Sequence, residues 1–172
     1  MKCTVAVKLI GAVLIIISGA VCGFLRSQIP CRRYKSLRAV YTCLEILENE
    51  IDFSLDSIGR IFMRISILCD MEYIFKTAVE LDEEMTVGQR WKRAVDKDSE
   101  AMCLKKEDCE IIKLLSQELG TCGREEQIKT IRHVKALLDK QIITAEEDYK
   151  KSAKLYKSLG VSGGIFIAIL LF

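Results

Sequence analysis

The chain is short of the residues that build catalytic and metal centres. It carries one histidine, His133, one tryptophan, Trp91, and one proline, Pro30. With a single imidazole and ordinary surface carboxylates, no set of nucleophile, base and orienting group can be assembled. No Gly-rich phosphate loop is present, and no basic patch interleaved with aromatics. The cysteines form no CxxC pair, so His133 has no closely spaced thiols with which to complete a zinc site. A net charge of +2, with both signs mixed along the chain, offers no field for nucleic acid. These absences point away from an enzyme, and neither a cofactor nor a metal is expected. Alternating β-branched runs are also scarce, which leaves the helix as the dominant element and an all-α fold as the expectation.

What is plentiful is unevenly placed. Hydrophobic content of 50% coexists with charged content of 29% because the apolar residues gather at two ends. The first cluster spans residues 3–25 and is interrupted only by Lys8, and the second closes the sequence from Leu159. Residues 9–25, within "LIGAVLIIISGAVCGFL", match the length of a membrane-spanning helix. A cleaved signal peptide is the rival, with Lys2 and Lys8 as its basic leader. The retained anchor is preferred, because the run is long, ends in "GFLRSQIPCRR" and lacks a well-placed small-x-small site. Arg26, Arg32, Arg33, Lys35 and Arg38 follow it, which places the middle of the chain in the cytoplasm by the positive-inside rule.

Lys150, Lys151, Lys154 and Lys157 precede the closing apolar segment and support the same orientation. Taken alone, residues 159–172 make about 21 Å of helix, short of a hydrocarbon core about 30 Å thick. A helix starting near Leu155 reaches about 27 Å if Lys157 snorkels to the interface. The expected organisation is therefore a transmembrane helix over residues 3–27, a cytoplasmic helical bundle over 32–154, and a second transmembrane helix over 155–172. Both termini would lie outside. Cys3, Cys22, Cys31, Cys43, Cys69, Cys103, Cys109 and Cys122 then read as free thiols in a reducing compartment.

The middle is helical by periodicity. Pro30 is expected to break the chain after the first anchor. Leu37, Val40, Tyr41, Leu44, Leu47 and Ile51 then recur at helical spacing, followed by Leu55, Ile58, Phe62, Ile65 and Leu68 behind a capping Ser54. A short helix covers residues 73–81, and the acidic "LDEEMTVG" is a loop before "QRWKRAV", where Trp91 and Val95 form an i, i+4 pair. "LKKEDCEIIKLLSQELG" places Ile112, Leu115 and Leu119 on one side and ends at Gly120, a favourable carboxyl-terminal cap. From Arg124 a near-heptad step through Ile128, Ile131, Val134, Leu138, Ile142, Ala145, Tyr149 and Tyr156 predicts one long helix running into the terminal segment. Gly19 with Gly23, and Gly160 with Gly164, are spaced four apart, so they are candidate packing positions for the membrane helices.

The order of "LIGAVLIIISGAVCGF", "LRAVYTCLEILENEI", "RWKRAV", "LLSQELG", "REEQIKTI" and "KSLGVSGGIFIAILLF" resembles the stage III sporulation protein AB family of spore-forming bacteria over nearly the whole chain. Two positions depart from it. The family commonly has Thr-Pro-Leu where this chain has Ser54 and Leu55, and Ser-Asp where it has Thr121, Cys122 and Gly123, so Ser54 and Thr121 are expected to cap. The resemblance implies a membrane subunit of the transenvelope apparatus joining mother cell and forespore, located in the mother-cell membrane around the forespore. Its helical cytoplasmic domain would resemble the inner-membrane platform protein of type II secretion. The implied partners are the apparatus ATPase, which is stage III sporulation protein AA-like, other membrane subunits of the apparatus, the lipid bilayer and further copies of the chain. No catalytic activity is implied. The alternative is a membrane-tethered regulator or sensor, in which Cys103 and Cys109 respond to redox state or the acidic loop binds a signal partner.

Overall fold

The computed structural model describes the backbone of residues 2–54, 56–68, 73–82 and 84–171, with side chains described within 28–155 of that range except at 153. Six helices run in the order α1 (Lys2–Phe53), α2 (Ile58–Leu68), α3 (Ile74–Glu80), α4 (Val87–Asp98), α5 (Lys106–Lys113) and α6 (Arg124–Leu171), with a 3-10 turn at Leu114–Gln117. No strand occurs among the described residues. The chain divides into two compact units, one of Arg32–Ala145 and one of Met1–Cys31 with Glu146–Phe172.

The Arg32–Ala145 unit is organised by one continuous core. Leu37, Val40, Leu44, Leu47 and Ile51 of α1 and Ile128, Ile131, Val134 and Leu138 of α6 are all buried. Their three- and four-residue spacing keeps each set on one helical face. Polar pairs beside that seam fix the two helices antiparallel: Arg124 donates to the Asp52 carbonyl, Arg132 and Lys135 pair with Glu48, and Arg33 reaches Gln141. Residue numbers rise on one helix as they fall on the other. Lys135 also lies 5.1 Å from the centre of the Tyr41 ring.

The shorter helices close over an aromatic cluster. Phe62 of α2, Phe75 of α3 and Trp91 of α4 meet with ring centres 5.0 to 5.5 Å apart, and the Phe62–Phe75 and Phe75–Trp91 pairs are edge-to-face. That geometry sets positive ring edges against negative faces. The buried Trp91 indole donates to the Ile112 carbonyl at 2.8 Å, tying α4 to the end of α5. Gly88 permits the same approach, since a Cβ there would lie 2.0 Å from the Ser116 carbonyl oxygen. Only glycine brings the backbone of α4 that close to the 3-10 turn.

Helix boundaries differ from expectation at five places, one of them the start of α4, where Val87 and Gly88 of the expected loop "LDEEMTVG" already lie in the helix. Pro30 lies inside α1 and does not end it. A proline removes a single helical hydrogen bond and costs about 3 kcal/mol, and the packing of the buried face beyond it offsets that. Ser54 does not cap α2. Its hydroxyl accepts the Asp56 N–H at 3.0 Å within a turn, and α2 begins at Ile58. Thr121 does not cap α6 either, because its hydroxyl donates to the Gln117 carbonyl, and the first turn closes from Gly123. The helix expected up to Gly120 ends instead at Lys113 and tightens into the 3-10 turn facing Gly88. Gly120 itself has φ +77°, the left-handed conformation expected of a helix-terminating glycine.

Two further ends show why the helices stop and start where they do. Thr86 and Gln89 form a reciprocal capping box at α4, with bonds of 3.2 and 3.1 Å. After α4, the Leu104 N–H bonds the Ser99 carbonyl and the Cys103 N–H bonds the Glu100 carbonyl, with Cys103 at φ 56°. This is a Schellman ending in which a cysteine occupies the left-handed position that glycine usually fills.

Candidate interaction surface

The proposed membrane-packing glycines, Gly19, Gly23, Gly160 and Gly164, fall within α1 and α6 but outside the residues whose side chains are described. The same holds for the expected spans 3–27 and 155–172, apart from the exposed Leu155. Among the described residues no helix is long and apolar enough to cross a membrane.

Within the Arg32–Ala145 unit, two arginines define two polar places. Arg33 is buried and grips Asp108 through two hydrogen bonds of 2.7 and 2.8 Å, with a third from the same guanidinium to Gln141 at 3.0 Å. Asp108 is completely buried and also accepts the Lys105 N–H at 2.8 Å, at the start of α5. One ion pair thus joins α1, α5 and α6. Paired and hydrogen-bonded in this way, the charges are tolerated in the interior. In the sequence Arg33 reads only as a flanking positive charge, and Asp108 is not distinguishable from its acidic neighbours.

Arg90 is placed differently. It lines a cleft of about 620 Å³ together with Ser54, Ser57, Gly59, Arg124 and Gln127, among others. Among the described residues it makes no ion pair, and its Nε is buried without a hydrogen-bond partner. Gln127 on the same wall is 7% exposed. Its amide donates to the Cys122 carbonyl, and its Oε1 has no partner among the described residues. The carboxylate on this rim, Asp56, is held below its usual range chiefly by its bond to Arg64, with Arg60 adding to the effect. The lining thus sets Arg90 and Arg124 against an ionised Asp56, and Glu118 and Glu126 act on Cys122 from beside it.

The solvent-exposed face of α2 is mixed: Met63, Ile67 and Leu68 are between half and four-fifths exposed beside the exposed Arg60 and Arg64. Met63 also lines a smaller cleft of about 330 Å³, shared with Ala78, Val79 and Arg90. The apolar recurrence of α2 is visible in the sequence, but periodicity alone assigns Leu68 to the inward face.

The thiols suit packing better than chemistry. The described cysteines 31, 43, 103, 109 and 122 are unbridged, and Cys43 and Cys109 are buried. Burial pushes the Cys109 thiol up, and its hydrogen bond with Glu118 does the same for Cys122. Neither is an activated thiolate. His133 is exposed, and no group of histidine, cysteine and acidic residues among the described ones could hold a metal ion.

The fold and its surfaces define an all-α protein in which a compact helical domain is built between the facing stretches of two long helices. The family profile described as stage III sporulation protein AB matches residues 8–172, and the chain belongs to that family. It is 27% identical over 168 residues to stage III sporulation protein AB of Bacillus subtilis (strain 168), covering 95% of this chain and 98% of the relative. A solved structure titled stage III sporulation protein AB superposes with a TM-score of 0.62 at 20% identity, covering 69% of this chain and 96% of the other, and so shares the fold.

Proposed function

We propose that this sporulation protein is a non-enzymatic membrane subunit of a secretion-like channel between mother cell and forespore, acting as an assembly platform for an ATPase and other membrane subunits. The observation that carries the reading is the family match over residues 8–172, which takes in both apolar ends as well as the helical domain. In this account the ends anchor the chain in the mother-cell membrane around the forespore, and the domain faces the cytoplasm, where it meets the ATPase. The domain's side chains are engaged in packing and ion pairs, and what it leaves over is surface for docking: the Arg90 cleft and the exposed Met63, Ile67 and Leu68 of α2.

The thiol version of the sensor alternative is disfavoured, because Cys109 is buried with its thiol pushed up and Cys103 serves a helix ending. The test is affinity purification of the tagged full chain from sporulating cells after cross-linking. Recovery of other subunits of the apparatus is expected; their absence from a well-recovered bait contradicts the reading. Topology is checked at the exposed Cys122, which a membrane-impermeant maleimide should reach only after permeabilisation. Labelling of that thiol in intact cells would overturn the cytoplasmic placement.

A further inference from the structure

We infer that the Arg33–Asp108 pair is a coupling latch: it makes the position of α1 at the start of the Arg32–Ala145 unit set the position of α5, and through α5 that of the aromatic cluster formed with α2 and α3. Three observations carry it. First, α5 is a short rod tied at both ends. It has eight residues, about 12 Å of helix. Near its start Asp108 accepts two bonds from the Arg33 guanidinium, at 2.7 and 2.8 Å, and one turn later the Ile112 carbonyl accepts the Trp91 indole N–H at 2.8 Å. Residues four apart share a helical face, and both of these are completely buried. A shift of Asp108 with Arg33 therefore carries the Ile112 carbonyl with it.

Second, each partner keeps another bond when the pair parts. The same guanidinium donates to Gln141 Oε1 at 3.0 Å, and the Asp108 carboxylate accepts the Lys105 N–H at 2.8 Å. The first of these holds Arg33 between α1 and α6, and the second keeps the start of α5 closed. The pair thus has a closed and an open arrangement, and α5 stays helical in both. Stability alone does not account for such a pair, since apolar replacements of buried ion pairs are often neutral or stabilising. A two-bonded guanidinium–carboxylate fork is directional, so it fixes α5 at one place along α1 where an apolar contact would let it slide.

Third, the far end of the route reaches the surface. Trp91 packs on Phe62 and Phe75 with ring centres 5.5 and 5.0 Å away. Phe62 is followed on α2 by the exposed Met63. At the near end, Arg33 is the second residue of the compact unit. Close-packed interiors transmit strain, so a displacement of α1 where it enters the unit passes through Asp108, Ile112, Trp91 and Phe62 to the exposed side of α2.

This inference stands apart from the proposed function, because it is read on the purified chain with no other subunit present. The experiment is a double-mutant cycle in chemical unfolding of the full chain in detergent micelles. Arg33→Lys keeps the charge and loses the fork, and Trp91→Phe keeps a ring and loses the indole bond. If α5 is released as a body, the second break adds less than the first. The double variant should therefore unfold less readily than the product of the two single effects predicts, by about threefold or more. Asp108→Asn, which keeps an oxygen for the Lys105 N–H, is a second way to cut the fork and should give the same deficit with Trp91→Phe. Glu48→Gln is the control: it cuts ion pairs of the α1–α6 seam that lie off the route, and its effect should multiply with that of Trp91→Phe to within about twofold. The indole N–H resonance of the single tryptophan gives a readout independent of stability. It should shift in Arg33→Lys and stay in place in Glu48→Gln. Multiplicative effects in the Arg33→Lys and Asp108→Asn cycles, a deficit of the same size in the Glu48→Gln cycle, or an indole signal unmoved by Arg33→Lys would overturn the inference.

Discussion

Arg33 and Arg90 sit in the same helical unit and do opposite things. Arg33 is buried and bound to a buried carboxylate on another helix, so its charge is spent on holding α1, α5 and α6 together. Arg90 is half-buried, lines both clefts and has no carboxylate among the described residues. Burying a charge costs several kcal/mol unless a partner is present. The first arginine satisfies that condition within the fold, and the second is left for something outside it. Position relative to partners, and not residue type, separates a structural arginine from a docking one.

The largest test breaks the Arg33 side of the comparison. Asp108→Ala strands a buried guanidinium and should cost about 3–5 kcal/mol in chemical unfolding of the full chain. Replacing both partners, Arg33→Met with Asp108→Leu, should recover much of that loss, because no charge is then left unpaired. Gly88→Ala acts on the other side. It drives a methyl into the Ser116 carbonyl two residues before Arg90 and should cost about 1–3 kcal/mol or more, shifting the cleft wall as α4 lifts.

Smaller effects sharpen the contrast. Glu48→Gln removes the ion pairs to Arg132 and Lys135 on the partly exposed α1–α6 seam and should cost about 0.5–1 kcal/mol. Burial opposes ionisation of Glu48, but its bonds to Arg132 and Lys135 win and hold it below the usual 4.5. Its contribution is therefore present above about pH 4.5 and is lost as pH falls through the lower folded value. Lys135 is held above 10.5 by Glu48 against the effect of burial, so its share is complete below that pH and fades as pH rises through the folded value. Cys103→Gly relieves a left-handed cysteine and should stabilise by about 0.5–1 kcal/mol. Arg90→Ala should change stability least, by about 0.5 kcal/mol or less.

The long-range pattern was readable in the sequence because helical periodicity reports burial directly. Of the expected inward positions, Leu37, Val40, Leu44, Leu47 and Ile51, and Ile128, Ile131, Val134, Leu138 and Ala145 are buried, while Tyr41 and Ile142 are half-buried and Tyr149 is exposed; the left-handed Gly120 stands where its residue suggests. Ends of helices were less readable, because a hydroxyl has several local partners to choose from. Ser54 and Thr121 took turn and carbonyl bonds and left the caps to others. Pro30 misleads for a related reason: one lost hydrogen bond is small beside a long buried face. The polar places were not readable at all. Arg33 and Asp108 are 75 residues apart, and nothing local marks either as a partner of the other. Arg90 looks like any solvated helix charge until α2 and α6 are set around it.

If Arg90 is kept for docking and Arg33 for folding, the two roles come apart in full-chain Arg90→Glu. Thermal unfolding of the purified variant, set beside the recovery of other apparatus subunits with it after cross-linking in sporulating cells, reads both. The expected outcome is a melting curve that overlays the parent's together with recovery reduced about tenfold or more. Unfolding like that of Asp108→Ala, or recovery equal to the parent's, would rule the separation out.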